Sequence, residues 1–203
     1  MNNIDDARSR VSREAATLLY FGAEKEYRQA KLKAAKIFCV HFLPTNLEIA
    51  LELDKISEEK EGSARKHHLI VMRQEALKIM KLLNTYYPLL IGSVWRGTAR
   101  IGSDIDIAIY TDQPEQVLKL LKISHVKVQR SCWMRVNKQG TTFSSYHIYA
   151  ETETKISLEI VARSIDEAGK KRKCEIYGDE IKGLKIPELE KLLKGNATRQ
   201  FLP

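Results

Sequence analysis

Gly92-Ser93-Val94-Trp95-Arg96-Gly97-Thr98-Ala99-Arg100-Ile101-Gly102-Ser103-Asp104-Ile105-Asp106 is the stretch on which the fold and the chemistry of this chain turn. It follows a short apolar run, Leu89-Leu90-Ile91, that reads as a strand ending at Gly92. Asp104 to Tyr110 alternates in the manner of a second strand, with Ile105, Ile107 and Ile109 on one face. Asp104 and Asp106 therefore leave the opposite face together. Two carboxylates this close repel unless a cation lies between them. Hard oxygen donors of this kind suit Mg²⁺ or Mn²⁺.

Gly92-Ser93 stands where a strand ends and a short helix can begin. A glycine there lets a phosphate approach the backbone, and the serine offers a hydroxyl and an N–H at the positive end of a helix. Arg96 and Arg100 follow closely and are expected to offer guanidinium forks to phosphate oxygens. A third carboxylate is expected from a neighbouring strand. Glu159 fits: it lies in Lys155 to Val161, opposite Ile156, Leu158 and Ile160, and joins the aspartates if that strand pairs beside Asp104–Tyr110. Glu151 and Glu153 sit nearer a turn and fit less well.

Outward from this stretch the chain changes character. Up to about Leu83 it reads as helices: Asp5 to Tyr20, Glu24 to Val40, a helix opened by the capping-box pair Thr45 and Glu48, and a long helix carrying Leu69, Met72, Ala76, Ile79, Met80 and Leu83. Glu58 to Lys66 is charged, contains Gly62-Ser63, and is expected to be a turn or mobile connection. After the second strand come a helix with Val117, Leu118 and Leu121, a strand from Val126 to Val136, a turn at Lys138-Gln139-Gly140, a strand from Thr142 to Glu151, and the strand bearing Glu159. A short helix from Pro187 to Leu193 closes the sequence, with Gly195-Asn196 as its stop. The order predicts an α+β fold with a mixed sheet and an N-terminal helical layer. Three stretches are expected: a helical N-terminal region at 1–84, a core at 85–165, and a basic C-terminal extension with a short helix at 166–203.

The stretch from Gly92 to Asp106 resembles the signature of the DNA polymerase β-type nucleotidyltransferase superfamily, and is similar in style to the minimal nucleotidyltransferases and to uncharacterised archaeal proteins with this domain. Their pattern Gly-Ser-x-x-Arg-Gly-x-x-Arg-x-x-Ser-Asp-x-Asp is matched by Gly92, Ser93, Arg96, Gly97, Arg100, Ser103, Asp104 and Asp106. The third acidic position is often Asp in that superfamily, whereas here it is Glu159. The resemblance implies a polymerase β-like core and a two-metal transfer of a nucleoside monophosphate from an NTP, such as ATP, to an acceptor hydroxyl, with release of pyrophosphate. Asp104, Asp106 and Glu159 would be the metal ligands and catalytic residues, and Gly92, Ser93, Arg96, Arg100 and Ser103 the nucleotide site. The acceptor is left open between RNA and protein. The alternative is a non-catalytic protein of this fold that binds RNA or a partner protein, including an antitoxin-like role.

The bulk composition agrees. Hydrophobic residues make up 43% of the 203, enough for a real core, and the formal net charge of +8 suits a polyanionic ligand as well as it suits a solvated surface. The three cysteines, Cys39, Cys132 and Cys174, are odd in number and widely spaced, which excludes a disulfide framework or a C-x-x-C zinc site. The Met1 end is polar, unlike a signal peptide, and no apolar run is long enough to span a membrane, so a cytoplasmic protein is expected. Lys170-Lys171-Arg172-Lys173 reads equally as a phosphate-binding run or a solvated one. His67 and His68 are adjacent on a helix and do not face one site. His147 reads as a packed or surface histidine before a residue of the cleft, and Trp95 and Trp133 as core or cleft wall.

Overall fold

The computed structural model describes residues 3–138 and 141–203. The chain forms two compact units, residues 1–65 with 173–180, and residues 66–172 with 181–202. Gln139 and Gly140 of the expected hairpin turn lie outside the described residues.

The first unit is helical. α1 (Asn3–Tyr20), α2 (Tyr27–Ile37) and the first part of α3 (Asn46–Leu82) bury Val11, Ala15, Ala16, Leu19, Ala30, Ala34, Ile49 and Ile56 against one another. Alanines dominate the α1 and α2 faces, so the helices approach with little side chain between them. α2 is shorter than the composition suggests and ends before Cys39, whose φ of 52° is left-handed. The Thr45–Glu48 capping box forms: Glu48 Nα–H donates to Thr45 Oγ1 at 3.2 Å, and Thr45 Nα–H donates to Glu48 Oε2 at 2.6 Å. Arg8 also donates to Glu48, at 2.5 Å, and this pairing leads the causes that hold the Glu48 carboxyl down at about 2.

The expected turn within Glu58–Lys66 is present as a sharp kink at Gly62. α3 is two helices that meet at this residue, whose φ is 53° and ψ −132°. Glycine takes this left-handed backbone without a side-chain penalty, so one helix can end and the next begin within a single residue. Arg65 ties the two sides of the kink together. Its guanidinium, 5% exposed, donates to Asp54 Oδ1 at 2.5 Å and to the Asp54 carbonyl at 3.2 Å. The break that the charged, glycine-containing sequence announces is thus braced by an ion pair across it.

The second unit contains the sheet. The chain runs through the end of α3, then β1 (Leu89–Ile91), α4 (Gly92–Arg96), β2 (Ile105–Tyr110), α5 (Pro114–Ile123), β3 (Lys127–Lys138), β4 (Thr141–Glu151), β5 (Ser157–Arg163) and α6 (Ile186–Lys194). The sheet order is β1-β2-β5-β4-β3. β2 and β5 are parallel and the other neighbours antiparallel, so the sheet is mixed. One face packs Ile105, Ile107, Ile109, Ile148, Leu158 and Ile160 into a core with Leu69, Met72, Met80 and Leu83 of α3 and with α5 and α6. The alternation along β2 and β5 sends every second residue to the other face. The α+β class with a mixed sheet and N-terminal helices is the one expected.

Arg73 of α3 is fully buried and faces no carboxylate among its hydrogen-bond partners. Its Nε donates to the Val94 carbonyl at 3.0 Å and its Nη2 to the Trp95 carbonyl at 2.9 Å, the last-turn acceptors of α4. Nη1 and Nη2 reach onward to the carbonyls of Ala197 and Arg199, at 2.6 and 3.0 Å. Burial pulls its pKa down to about 10. One guanidinium thus joins α3, α4 and the segment after α6, using the negative end of a helix in place of an acid. Arg73→Met keeps volume but withdraws every donor. It is expected to lose about 3 kcal/mol or more in urea unfolding, because each orphaned buried acceptor costs roughly 1–3 kcal/mol.

Candidate active site

β1 delivers the chain to Gly92, whose φ is +70°. A Cβ built on it would lie 1.9 Å from Asp106 Oδ2, so the Asp106 carboxylate rests directly on the Gly92 backbone. The β1–β2 register explains the approach: Ile91 pairs with Asp106, and the next residue must pass under the aspartate side chain. Ser93 follows in the first turn of α4. Its carbonyl accepts from Thr98 Nα–H at 3.0 Å, and no described residue hydrogen-bonds its hydroxyl.

Parallel pairing of β2 with β5 sets Asp106 opposite Glu159. Carboxylate oxygens of Asp104, Asp106 and Glu159 all lie within 4.8 Å of one another. Burial raises the Asp106 carboxyl to about 8, with the charges of Asp104 and Glu159 pushing the same way. Asp104 stands nearer the rim, and its pKa is raised first by burial and then by Glu159 against its own backbone N–H. Three hard oxygen donors at this separation, two of them resisting ionisation, fit a divalent cation of the Mg²⁺ or Mn²⁺ type. It is the only such group of acidic, histidine or cysteine side chains among the described residues.

The nucleotidyltransferase domain family matches residues 73–172. This segment belongs to that family. Its signature is that of the polymerase β-like superfamily, and it covers the end of α3, the whole sheet and all three carboxylates. No curated protein matches the chain.

Within the nucleotidyltransferase domain the other residues singled out in the sequence go to different places. Arg100 and Ser103 close the loop ahead of β2: Arg100 Nα–H donates to Ser103 Oγ at 3.0 Å and Arg100 Nη1 to the Ile101 carbonyl at 3.2 Å. Arg96 departs from its expected role as a phosphate ligand. It is 3% exposed, stacks on Trp95 at 4.5 Å, and donates from Nη1 to the Phe201 carbonyl at 3.0 Å. Phe201 Nα–H returns a bond to the Arg96 carbonyl at 2.8 Å. The arginine fastens the C-terminal segment to α4. Gly97 serves the same packing, since a Cβ there would meet the Arg199 carbonyl at 2.7 Å. Trp95 is 4% exposed and belongs to the core, whereas Trp133 is 55% exposed with its ring edge-on to Tyr146. In the basic run, Lys170 and Lys171 are exposed, and Arg172 pairs with Glu167.

Two residues of β4 that the sequence did not connect to the acidic cluster stand beside it. His147 Nδ1 lies 2.6 Å from Glu159 Oε1, and Tyr149 is the direct cross-strand neighbour of Glu159. Their alternation with Ser145 along β4 was visible, but only the antiparallel register, Tyr149 opposite Glu159, brings them to it.

Two outcomes follow for the domain without metal. Asp106 is protonated more readily in the folded than in the unfolded chain, so its contribution to stability is present at low pH and lost as pH rises toward its folded pKa. Between about pH 6 and pH 8.5 the metal-free thermal midpoint is expected to fall, with Mg²⁺ restoring it and Asp106→Asn flattening the slope. Gly92→Ala is expected to lose at least roughly 1–2 kcal/mol from the left-handed backbone alone, and to abolish Mg²⁺ stabilisation by displacing Asp106, measured by thermal unfolding with and without Mg²⁺.

Proposed function

We propose that the domain transfers a nucleoside monophosphate from an NTP to an acceptor hydroxyl, with release of pyrophosphate. The observation that carries this reading is the convergence of Asp104, Asp106 and Glu159, with Asp106 resting on the Gly92 backbone. Asp104 and Asp106 would hold both divalent cations, Mg²⁺ or Mn²⁺, and Glu159 the one on the acceptor side. Bound there, the metals supply acidity to the acceptor hydroxyl and offset charge on the departing pyrophosphate.

The chain's own part is placement. Ser93, with a hydroxyl unclaimed by any described residue, and the backbone that follows it would hold the β- and γ-phosphates. Arg100 and Ser103 would border them from the loop before β2. Arg96 is assigned instead to holding α4 in place. The acceptor oxygen attacks the α-phosphorus, the bond from that phosphorus to the bridging oxygen of pyrophosphate breaks, and the hydroxyl proton leaves to solvent. RNA ends and protein hydroxyls both suit this chemistry as acceptors, and the +8 net charge supports a polyanionic one. The free state of Cys39, Cys132 and Cys174 supports a reducing, cytoplasmic setting, and no helix among the described residues is long and apolar enough to cross a membrane.

Incubation with Mg²⁺ and NTPs labelled at the α-phosphate, against RNA and protein acceptors, is expected to give label transfer by the wild type. Asp104→Ala and Asp106→Ala are each expected to reduce it by about 10³-fold or more, given that the two ligands supply the metal-dependent part of catalysis. Equal transfer by wild type and variants rules the mechanism out. RNA binding with a steep salt dependence and no Mg²⁺-dependent NTP binding assigns the protein to the non-catalytic reading.

A further inference from the structure

Glu159 reaches the aspartates with one methylene more than an aspartate would carry, and so with one more rotatable bond. A carboxylate on a longer arm has more positions to choose from, and a metal centre needs one of them. Nothing on β5 restrains it: Leu158 and Ile160 point into the core, and the neighbours on its own face are Ser157 and Val161. The restraint comes from β4. His147 Nδ1 lies 2.6 Å from Glu159 Oε1, with the side chains 15% and 21% exposed. The other ring nitrogen, Nε2, lies 2.8 Å from Ser145 Oγ. A serine hydroxyl that donates to Nε2 leaves the proton of the neutral ring on Nδ1, facing the carboxylate. Tyr149 stands directly opposite Glu159 on the same face, and Arg130 covers the Tyr149 ring at 4.0 Å.

We propose that His147, set in its tautomer by Ser145, is a positioning residue that holds Glu159 in the orientation required of a metal ligand. This rests on the reading of the three carboxylates as a metal centre. The device follows from strand alternation: positions 145, 147 and 149 share one face of β4, and the antiparallel β4–β5 register puts that face against Glu159. A donor to a ligating carboxylate restricts its rotation, and removal of such an outer partner typically weakens metal binding by about 10–100-fold.

The test is Mn²⁺ affinity of the full chain, read by electron paramagnetic resonance as free against bound ion, with thermal midpoints measured in parallel. His147→Leu is expected to weaken Mn²⁺ binding by about 10–100-fold. His147→Asn, whose amide nitrogen stands close to the position of Nδ1, is expected to retain most of the affinity. His147→Gln, whose amide reaches the position of Nε2 instead, is expected to lose it. Ser145→Ala is expected to fall between wild type and His147→Leu. This ordering at similar thermal midpoints separates positioning from packing, because a packing role ranks the variants by volume. Should His147→Leu fold poorly, the Asn-against-Gln contrast decides. Wild-type affinity in both His147→Leu and His147→Gln overturns the proposal and leaves the metal centre standing. A wild type that binds Mn²⁺ no better than Asp106→Asn overturns the metal reading and the proposal with it.

Discussion

Parallel pairing between β2 and β5 is the constraint from which the site is built. β1, β4 and β3 add antiparallel strands, but the parallel pair needs a long crossover, and α5, β3 and β4 provide it. The register Asp106 to Glu159 brings together carboxylates more than fifty residues apart in sequence. Their mutual repulsion in a part-buried place is unfavourable, and the folded chain tolerates it because the opposite face of the same strands is filled with Ile105, Ile107, Leu158 and Ile160. Apolar burial on one side of the sheet supports an electrostatically strained arrangement on the other. This division, a stabilising face and a reactive face on the same strands, is a common solution wherever a site must hold charge that it cannot neutralise by itself.

A second layer of support keeps α4 where the carboxylates need it. A helix of five residues has almost no internal hydrogen bonding of its own, and its last carbonyls would be orphaned without external donors. Arg73 and the backbone around Phe201 supply those donors. Arg96 and Gly97 accommodate the same segment, one by its guanidinium and the other by lacking a side chain. The glycines at the two ends of α4 thus serve different purposes. Gly92 makes room for a carboxylate, and Gly97 makes room for the backbone of the C-terminal segment.

Arg96 shows where reading a motif locally stops being sufficient. Its spacing from Gly92 and Ser93 placed it within reach of a phosphate, and a guanidinium is the natural side chain for that task. The competing acceptor is a carbonyl more than a hundred residues later, which no local pattern announces. Glu58 to Lys66 shows the converse. Charge and glycine announced a break from local pattern alone, and Gly62 supplies it, with a buried arginine, Arg65, bonded back to Asp54 across it. His147 was ambiguous for a different reason: a histidine on an alternating strand takes its role from whatever faces it, and that depends on register.

The sequence by itself determined the class of fold and the pair of aspartates on one strand face, because both follow from local periodicity; that Gly92 lies under Asp106 came from the β1–β2 register. It also singled out Glu159 from strand alternation. Tertiary structure decided that Arg96 is buried against the C-terminal segment, that His147 of β4 meets Glu159, and how a short helix with unsatisfied carbonyls is held. Those outcomes depend on strand register and on partners distant in sequence, and hydrogen-bonding capacity alone does not specify which of many possible partners a side chain meets.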